Sequence, residues 1–287
     1  MRRFLLSLAT GLGLLAAPLS VADAADETTE TEACKGCEAL LELAAASPLR
    51  KDDRARDGAR HPVEMMAFFG IRPDMKVGEY APGGEWVSRF LGLYLGKQGH
   101  LVGLFFDPTS GPFDAKTQAG IVAAAAKYPQ DVATFTGIPA DRFAAYTLKD
   151  VPEAEKGTFD RILVPRMLHN MLRWNIADSE IKTMRALLKP GGMIGIEQHR
   201  AKPDAPYAYA DGSKGYLRQS DVVRLMELNG FELVRASEIN ANPKDSADWP
   251  NGVWTLPPTY ALKDQDRARY QAIGESDRMT LLFRKRP

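Results

Sequence analysis

A glutamate and two histidines have the first claim on chemistry in this sequence. In 78-GEYAPGGEW-86 the acid Glu79 is followed by Ala81, Pro82, Gly83 and Gly84, so a carboxylate precedes a tight turn of small residues and then a helix-like run. A strand, a glycine-bearing turn and a helix present backbone N–H groups at a helix N-terminus, which favours an anionic or polar nucleotide group. Taken alone, the glycine pair also fits an ordinary chain reversal. Farther along, His169-Asn170 follows the apolar stretch 159-FDRILVP-165, and His199-Arg200 follows 193-MIGIEQ-198. An imidazole titrates near neutral pH, so either histidine is a candidate base, with Asn170 and Arg200 as polar companions. Each histidine alone fits a hydrogen-bonded loop residue equally well.

These residues meet only if the elements between them stack in the right order. Pro62 suits the first turn of a helix through Val63, Met66 and Phe69 that Gly70 ends. Strands are expected at 76-KVGEY-80, 100-HLVGLFFD-107, 143-FAAYTL-148, 159-FDRILVP-165, 193-MIGIEQ-198, 231-FELVRASEI-239 and 279-MTLLFRK-285. Helical spacing marks 84-GEWVSRFLGLYLG-96, 114-DAKTQAGIVAAAAKY-128, 176-IADSEIKTMRALLK-189 and 219-QSDVVRLMELNG-230. Pro190-Gly191-Gly192 reads as the stop between a helix and a new strand. Apolar strands alternating with helices make an α/β fold, a doubly wound and mainly parallel sheet. No dedicated helix links the last two strands, so they are expected as an antiparallel pair at one edge. Both strand ends that carry His169 and His199 then lie at the carboxyl edge, where open α/β sheets hold ligands.

Seven strands, a terminal antiparallel pair, a first turn reading Glu-x-x-Pro-Gly-Gly and a fourth strand opening on Phe159-Asp160 resemble the class I S-adenosylmethionine-dependent methyltransferases. More narrowly, 65-MMAFFGIRPDMKVGEYAPGGEW-86, 166-RMLHNML-172, 196-IEQHR-200, 242-NPKDSADWP-250 and 277-DRMTLLFRK-285 look like an exported, periplasmic family of predicted methyltransferases. The resemblance covers about residues 55 to 287. It implies that S-adenosylmethionine is the cofactor, with Glu79 facing its ammonium and Ala81, Pro82, Gly83 and Gly84 lining its methionine end. It implies methyl transfer to a small molecule or an envelope component; the alternative is a non-catalytic protein that kept the fold to bind another ligand. Two departures stand out. Ala81 and Glu85 occupy positions where the family's turn carries glycine, and Phe105 occupies the strand end where an acid usually holds the ribose. Asp107, two residues on, is the candidate substitute.

The remaining features bound these readings. Lysine plus arginine equals aspartate plus glutamate at 37 each, so the chain lacks the basic excess a phosphate backbone requires, and nucleic acid is not an expected partner. Arg2-Arg3, the apolar run Phe4 to Leu19 and Ala22-Asp23-Ala24 read as an export signal over residues 1–24, with a twin-arginine route open. Residues 25–60 are polar and charged, and read as a mobile extension with one helix from Glu38 to Ala46 whose charge runs are solvated. The domain itself is expected over residues 61–287. Cys34 and Cys37 suit a local disulfide in an oxidising compartment, with a redox pair as the alternative. A zinc site needs two further ligands, and the four histidines show no paired spacing, so no metal is expected. The stretch 249-WPNGVWTLPPTY-260 reads either as a lid giving a pocket an aromatic wall or as a stiff connection.

Overall fold

The computed structural model of the chain describes Cys34, residues 36–83 and residues 86–287. The expected export signal, the acidic run after it, and the turn residues Gly84 and Glu85 lie outside the described residues. Both cysteines are disulfide-bonded. No described helix is long and apolar enough to cross a membrane.

Seven strands form one sheet: β1 (Lys76–Tyr80), β2 (His100–Phe105), β3 (Phe143–Thr147), β4 (Phe159–Pro165), β5 (Leu188–His199), β6 (Phe231–Ser237) and β7 (Arg278–Lys285). Their order is β3-β2-β1-β4-β5-β7-β6. The first five are mutually parallel, and β7 runs antiparallel to both β5 and β6. The antiparallel pair of the sequence reading is there, with β7 inserted inside β6. The segment that joins β6 to β7 carries only the short helix Arg267–Ile273 and no helix on the scale of those that cross between the parallel strands.

Alternation of side chains along each strand divides the core between the two faces. On one face Val77, Leu101 and Leu163 meet Met66, Phe90 and Tyr128 from the helices Pro62–Phe68, Trp86–Leu95 and Ala115–Thr136. On the other, Ile162, Ile194 and Leu281 meet Met171, Ile181 and Met226 from the helices Leu168–Arg173, Ala177–Leu187 and Gln219–Leu228. Two elements differ from the pattern read in the sequence. Ala115–Thr136 extends past Tyr128 and through Pro129, held at its start by the Asp114 side chain on the Thr117 N–H and ended by Gly137 at φ 72°. Pro190-Gly191-Gly192 lies inside β5, because Gly191 at φ 70° and a register shift opposite Phe159 let the strand begin irregularly.

The mixed charge run 50–60 is packed against the domain, which corrects the expectation that its face is solvated. After the helix Cys37–Ala46, Arg50 is fully buried. Its guanidinium gives a bidentate pair to Asp57 and lies over the rings of Trp86 and Phe90. Asp53 accepts from Arg89, and Arg60 is buried against Glu275 near the other end of the chain. Charges placed so tightly against aromatic faces are stabilised by their partners, and hydropathy alone does not register that.

Candidate functional site

The carboxyl edge of β1, β4 and β5 opens into a cavity of about 290 Å³. β1 delivers Glu79, which is almost completely buried and still lines the cavity. Its Oε2 accepts from the Ser88 hydroxyl at 2.6 Å and from the Tyr128 hydroxyl at 3.4 Å. The chain then turns at Ala81, whose φ of 52° is the left-handed conformation that glycine adopts without strain and alanine does not. The Ala81 N–H donates to Leu104 O at 2.7 Å, so the strained residue is tied to β2. Ala81 and Gly83 line the cavity.

β4 and β5 bring the two histidines together, their ring centroids 5.5 Å apart. His169 sits on the short helix Leu168–Arg173 and is buried. The Gln198 amide fixes its tautomer. Gln198 Nε2 donates to Gly215 O at 2.8 Å, which turns Oε1 towards His169 Nδ1 at 3.3 Å, so Nδ1 carries the proton and Nε2 keeps its lone pair. His199 Nδ1 pairs with the Ser276 hydroxyl at 2.6 Å. Burial pushes His169 down to about 4, and it pushes His199 well below its ordinary value; positive charge on Arg166 adds to both effects. Both imidazoles are therefore neutral near pH 7. They accept a hydrogen bond readily but hold a proton poorly, which revises the expectation of a base poised at neutral pH. Asn170 also lines the cavity, and its buried Oδ1 has no partner among the described residues.

Arg200 and Asp107 do not reach this cavity. Arg200 points to the other side of β5, where it pairs with Asp277 at 2.9 Å and with Glu238 at 2.6 Å. Strand alternation explains this, since neighbouring residues at a strand end face opposite ways. β2 ends at Phe105, which is buried with its ring against Tyr128 at 5.9 Å between centroids. Asp107 lies in the following loop, and its Oδ1 accepts from the Thr109 N–H and hydroxyl, both at 2.7 Å. Between them, Phe106 packs on Tyr80, Phe113 and Trp174. Pro82 is described but lies outside the cavity lining, and Gly84 lies outside the described residues.

Several wall residues were not legible beforehand. Arg166, directly after β4, has φ 54° and lines the cavity. Its Nη1 donates to Glu197 Oε2 at 2.6 Å. Arg278 bridges Glu197 and Glu275 at 3.1 and 2.8 Å, and Arg60 Nε meets both oxygens of Glu275 at 3.0 Å. Burial lowers Arg60 to about 10, aided by the like charge of Arg166. Glu275 is held below its ordinary value despite its burial, because Arg278 and Arg60 favour the carboxylate. Trp254, Pro257 and Pro258 close the opposite side, with Trp254 5.9 Å from His169 between centroids. The segment 249–260 thus supplies the aromatic wall. It can approach so closely because Gly215 and Gly252 have positive φ, and a Cβ at either would collide with Val253 or with Lys214 O.

The residues present fit the methionine end of S-adenosylmethionine. Glu79 is an acceptor-only group buried in the cavity wall, complementary to an ammonium, and it lies beside a left-handed turn. No carboxylate from β2 joins it, so a ribose would lack that contact. Parallel β1 to β5 in this order, closed by an antiparallel β7 between β5 and β6, decide the architecture. The chain has the Rossmann-like methyltransferase fold. No family profile and no curated protein matches its sequence. Solved structures similar to it include an S-adenosylmethionine-dependent methyltransferase from Aquifex aeolicus, at 14% identity over 71% of this chain and 93% of that one with a TM-score of 0.48. A second is the 1,6-didemethyltoxoflavin N1-methyltransferase of Burkholderia thailandensis with bound 1,6-didemethyltoxoflavin and S-adenosylhomocysteine, at 12% identity over 88% and 85% with a TM-score of 0.43. A third is the cyclase SpnF, at 13% identity over 88% and 96% with a TM-score of 0.49.

Proposed function

We propose that the protein is an exported methyltransferase that uses S-adenosylmethionine to methylate a small molecule or an envelope component. The observation that carries this reading is the meeting of Glu79 with His169, His199 and Asn170 in one cavity. Glu79 and the Ala81 to Gly83 turn would hold the methionine end. Bound S-adenosylmethionine would supply a sulfonium methyl, whose C–S electron pair stays on sulfur as the acceptor's lone pair bonds the carbon. His169 Nε2 accepts the acceptor's O–H or N–H, fixes its lone pair in line and takes the proton released as the methyl bonds, passing it on to solvent because burial keeps the imidazole a weak base, so positioning is the main contribution to rate. Trp254, Pro257 and Pro258 keep water from the same space. Export follows from the residues 1–24 reading and requires that the cofactor be carried out with the protein or met outside.

The test is isothermal titration of the purified mature protein with S-adenosylmethionine and with S-adenosylhomocysteine, after mass spectrometry for retained ligand. Micromolar binding is the expected result. Absence of binding and of retained ligand would overturn the reading in favour of a non-catalytic ligand-binding protein. The burial of Phe105 and the capping role of Asp107 favour that second reading.

A further inference from the structure

Around the β4 and β5 side of the cavity lie three guanidinium groups, Arg60, Arg166 and Arg278, and two carboxylates, Glu197 and Glu275. One positive charge is left over. The distribution is uneven. Glu275 is engaged by both Arg60 and Arg278, and Glu197 by both Arg166 and Arg278, so the two acids are shared while Arg166 has one carboxylate contact. Among the described residues Glu197 is the acceptor for its side chain, which leaves most of the donors of a guanidinium fork for the cavity it lines. Its backbone is strained at φ 54°, a cost that persists where surrounding structure enforces it and that gathers at ligand sites. Beside it stand the uncharged polar groups of His169, Asn170 and Ser276 and the ring of Trp254.

We propose that Arg166 is the specificity determinant for the methyl acceptor and that the acceptor is a small monoanion whose carboxylate it binds. This rests on the methyltransferase reading. Charge arithmetic supports it. Glu79 adds a further negative charge on the β1 side, which brings the wall to balance. S-adenosylmethionine carries a sulfonium, an ammonium and a carboxylate, so its binding restores one positive charge that a monoanionic acceptor cancels. An uncharged acceptor would leave that charge uncompensated in a largely buried cavity. The two arginines also oppose each other, since the charge of Arg166 depresses Arg60, and an anion between or beside them relieves this. A planar fork facing a planar carboxylate makes the bond directional, and the Trp254 ring offers a flat apolar surface to the body of the ligand.

The experiment uses the mature protein saturated with sinefungin, whose extra ammonium stands for the sulfonium charge that S-adenosylhomocysteine lacks, and titrated with 4-hydroxybenzoate, benzoate and phenylacetate, each against its amide. The expected result is at least ten-fold tighter binding of the carboxylates, lost in Arg166→Met and partly kept in Arg166→Lys. Arg166→Met strands Glu197, so the double variant Arg166→Met/Glu197→Gln, which removes both charges, is measured alongside it and should lose the preference equally. No preference for any carboxylate over its amide, or a preference that survives both methionine variants, overturns the proposal. A second arm compares S-adenosylhomocysteine with 5′-methylthioadenosine, which lacks the amino-acid end. If Arg166→Met weakens only the former, Arg166 holds the cofactor's carboxylate and the proposal fails while the methyltransferase reading stands. Carboxylate preference without any S-adenosylhomocysteine binding would sink the methyltransferase reading and leave an anion-binding cleft that is not an acceptor site.

Discussion

Glu180 offers a sharp test of the physical reasoning, because its acid is buried where strand β2 runs into the loop beside the cleft. Its Oε1 accepts the Asp107 N–H at 2.9 Å, and it lies close to the fully buried Tyr80, whose phenol is pushed up by burial and by this carboxyl. Burial raises Glu180 from 4.5 to about 7. In the unfolded chain the carboxyl ionises from about 4.5 upward, whereas in the fold it keeps its proton to about 7, so unfolding releases a proton throughout that window. Stability therefore falls as pH rises from 4.5 to 7 and is level above it. Comparing pH 5 with pH 8, this group costs ~2.5 kcal/mol. Glu180→Gln keeps the carbonyl that receives Asp107 and cannot ionise. Urea unfolding of both proteins at the two pH values should show the variant gaining ~2.5 kcal/mol on the wild type between pH 5 and pH 8. Every other titrating group cancels in that difference. A gain below about 1 kcal/mol would mean that water or a proton donor reaches the carboxylate and that the buried-acid account is wrong.

Three further outcomes follow from the geometry. His169, moved by burial from 6.5 to about 4, has the opposite sign: the unfolded chain takes up its proton first, so stability is lost as pH falls from 6.5 to 4, by about 3 kcal/mol in all. His169→Asn should flatten the acid limb of thermal unfolding measured against pH, and parallel curves would contradict the assignment. Asp107→Ala should remove the Thr109 cap at a cost of about 1 kcal/mol and leave S-adenosylmethionine affinity within about two-fold in titration calorimetry, since the carboxylate is outside the cavity. A ten-fold loss would show that it swings to the ribose. Gly252→Ala forces a Cβ onto Lys214 O at positive φ, so it should destabilise by roughly 1–3 kcal/mol and weaken ligand binding through the Trp254 wall. Unchanged ligand binding would detach that segment from the site.

The seven strands, their mainly parallel sense and the cover on both faces were legible because alternation and helical spacing respond to burial. The meeting of His169 and His199 was legible for a different reason, since topology puts both strand ends on one edge. Arg200 shows the limit of that argument: a strand end fixes an edge, and the side of the strand depends on parity. Arg50 and Arg60 were misread as solvated because a charge run looks the same whether water or a carboxylate and an aromatic ring surround it. Arg166 had no local signal at all, as a left-handed arginine is imposed by tertiary contacts.

The cavity wall joins Arg60 to Glu275, and the Arg278 side chain donates to Ala59 O, so segments about two hundred residues apart in sequence clasp each other beside the cavity. Contacts of such separation are made late, after the chain between them has collapsed. Competence to bind is then acquired as the last act of folding. During synthesis the sheet through β5 would stand as an empty scaffold until β7 arrived, and a nick or truncation near either terminus would silence the cleft without touching a residue that contacts the ligand. A formed cavity thus serves as a certificate of completed folding, because its wall closes only when both ends of the chain have docked.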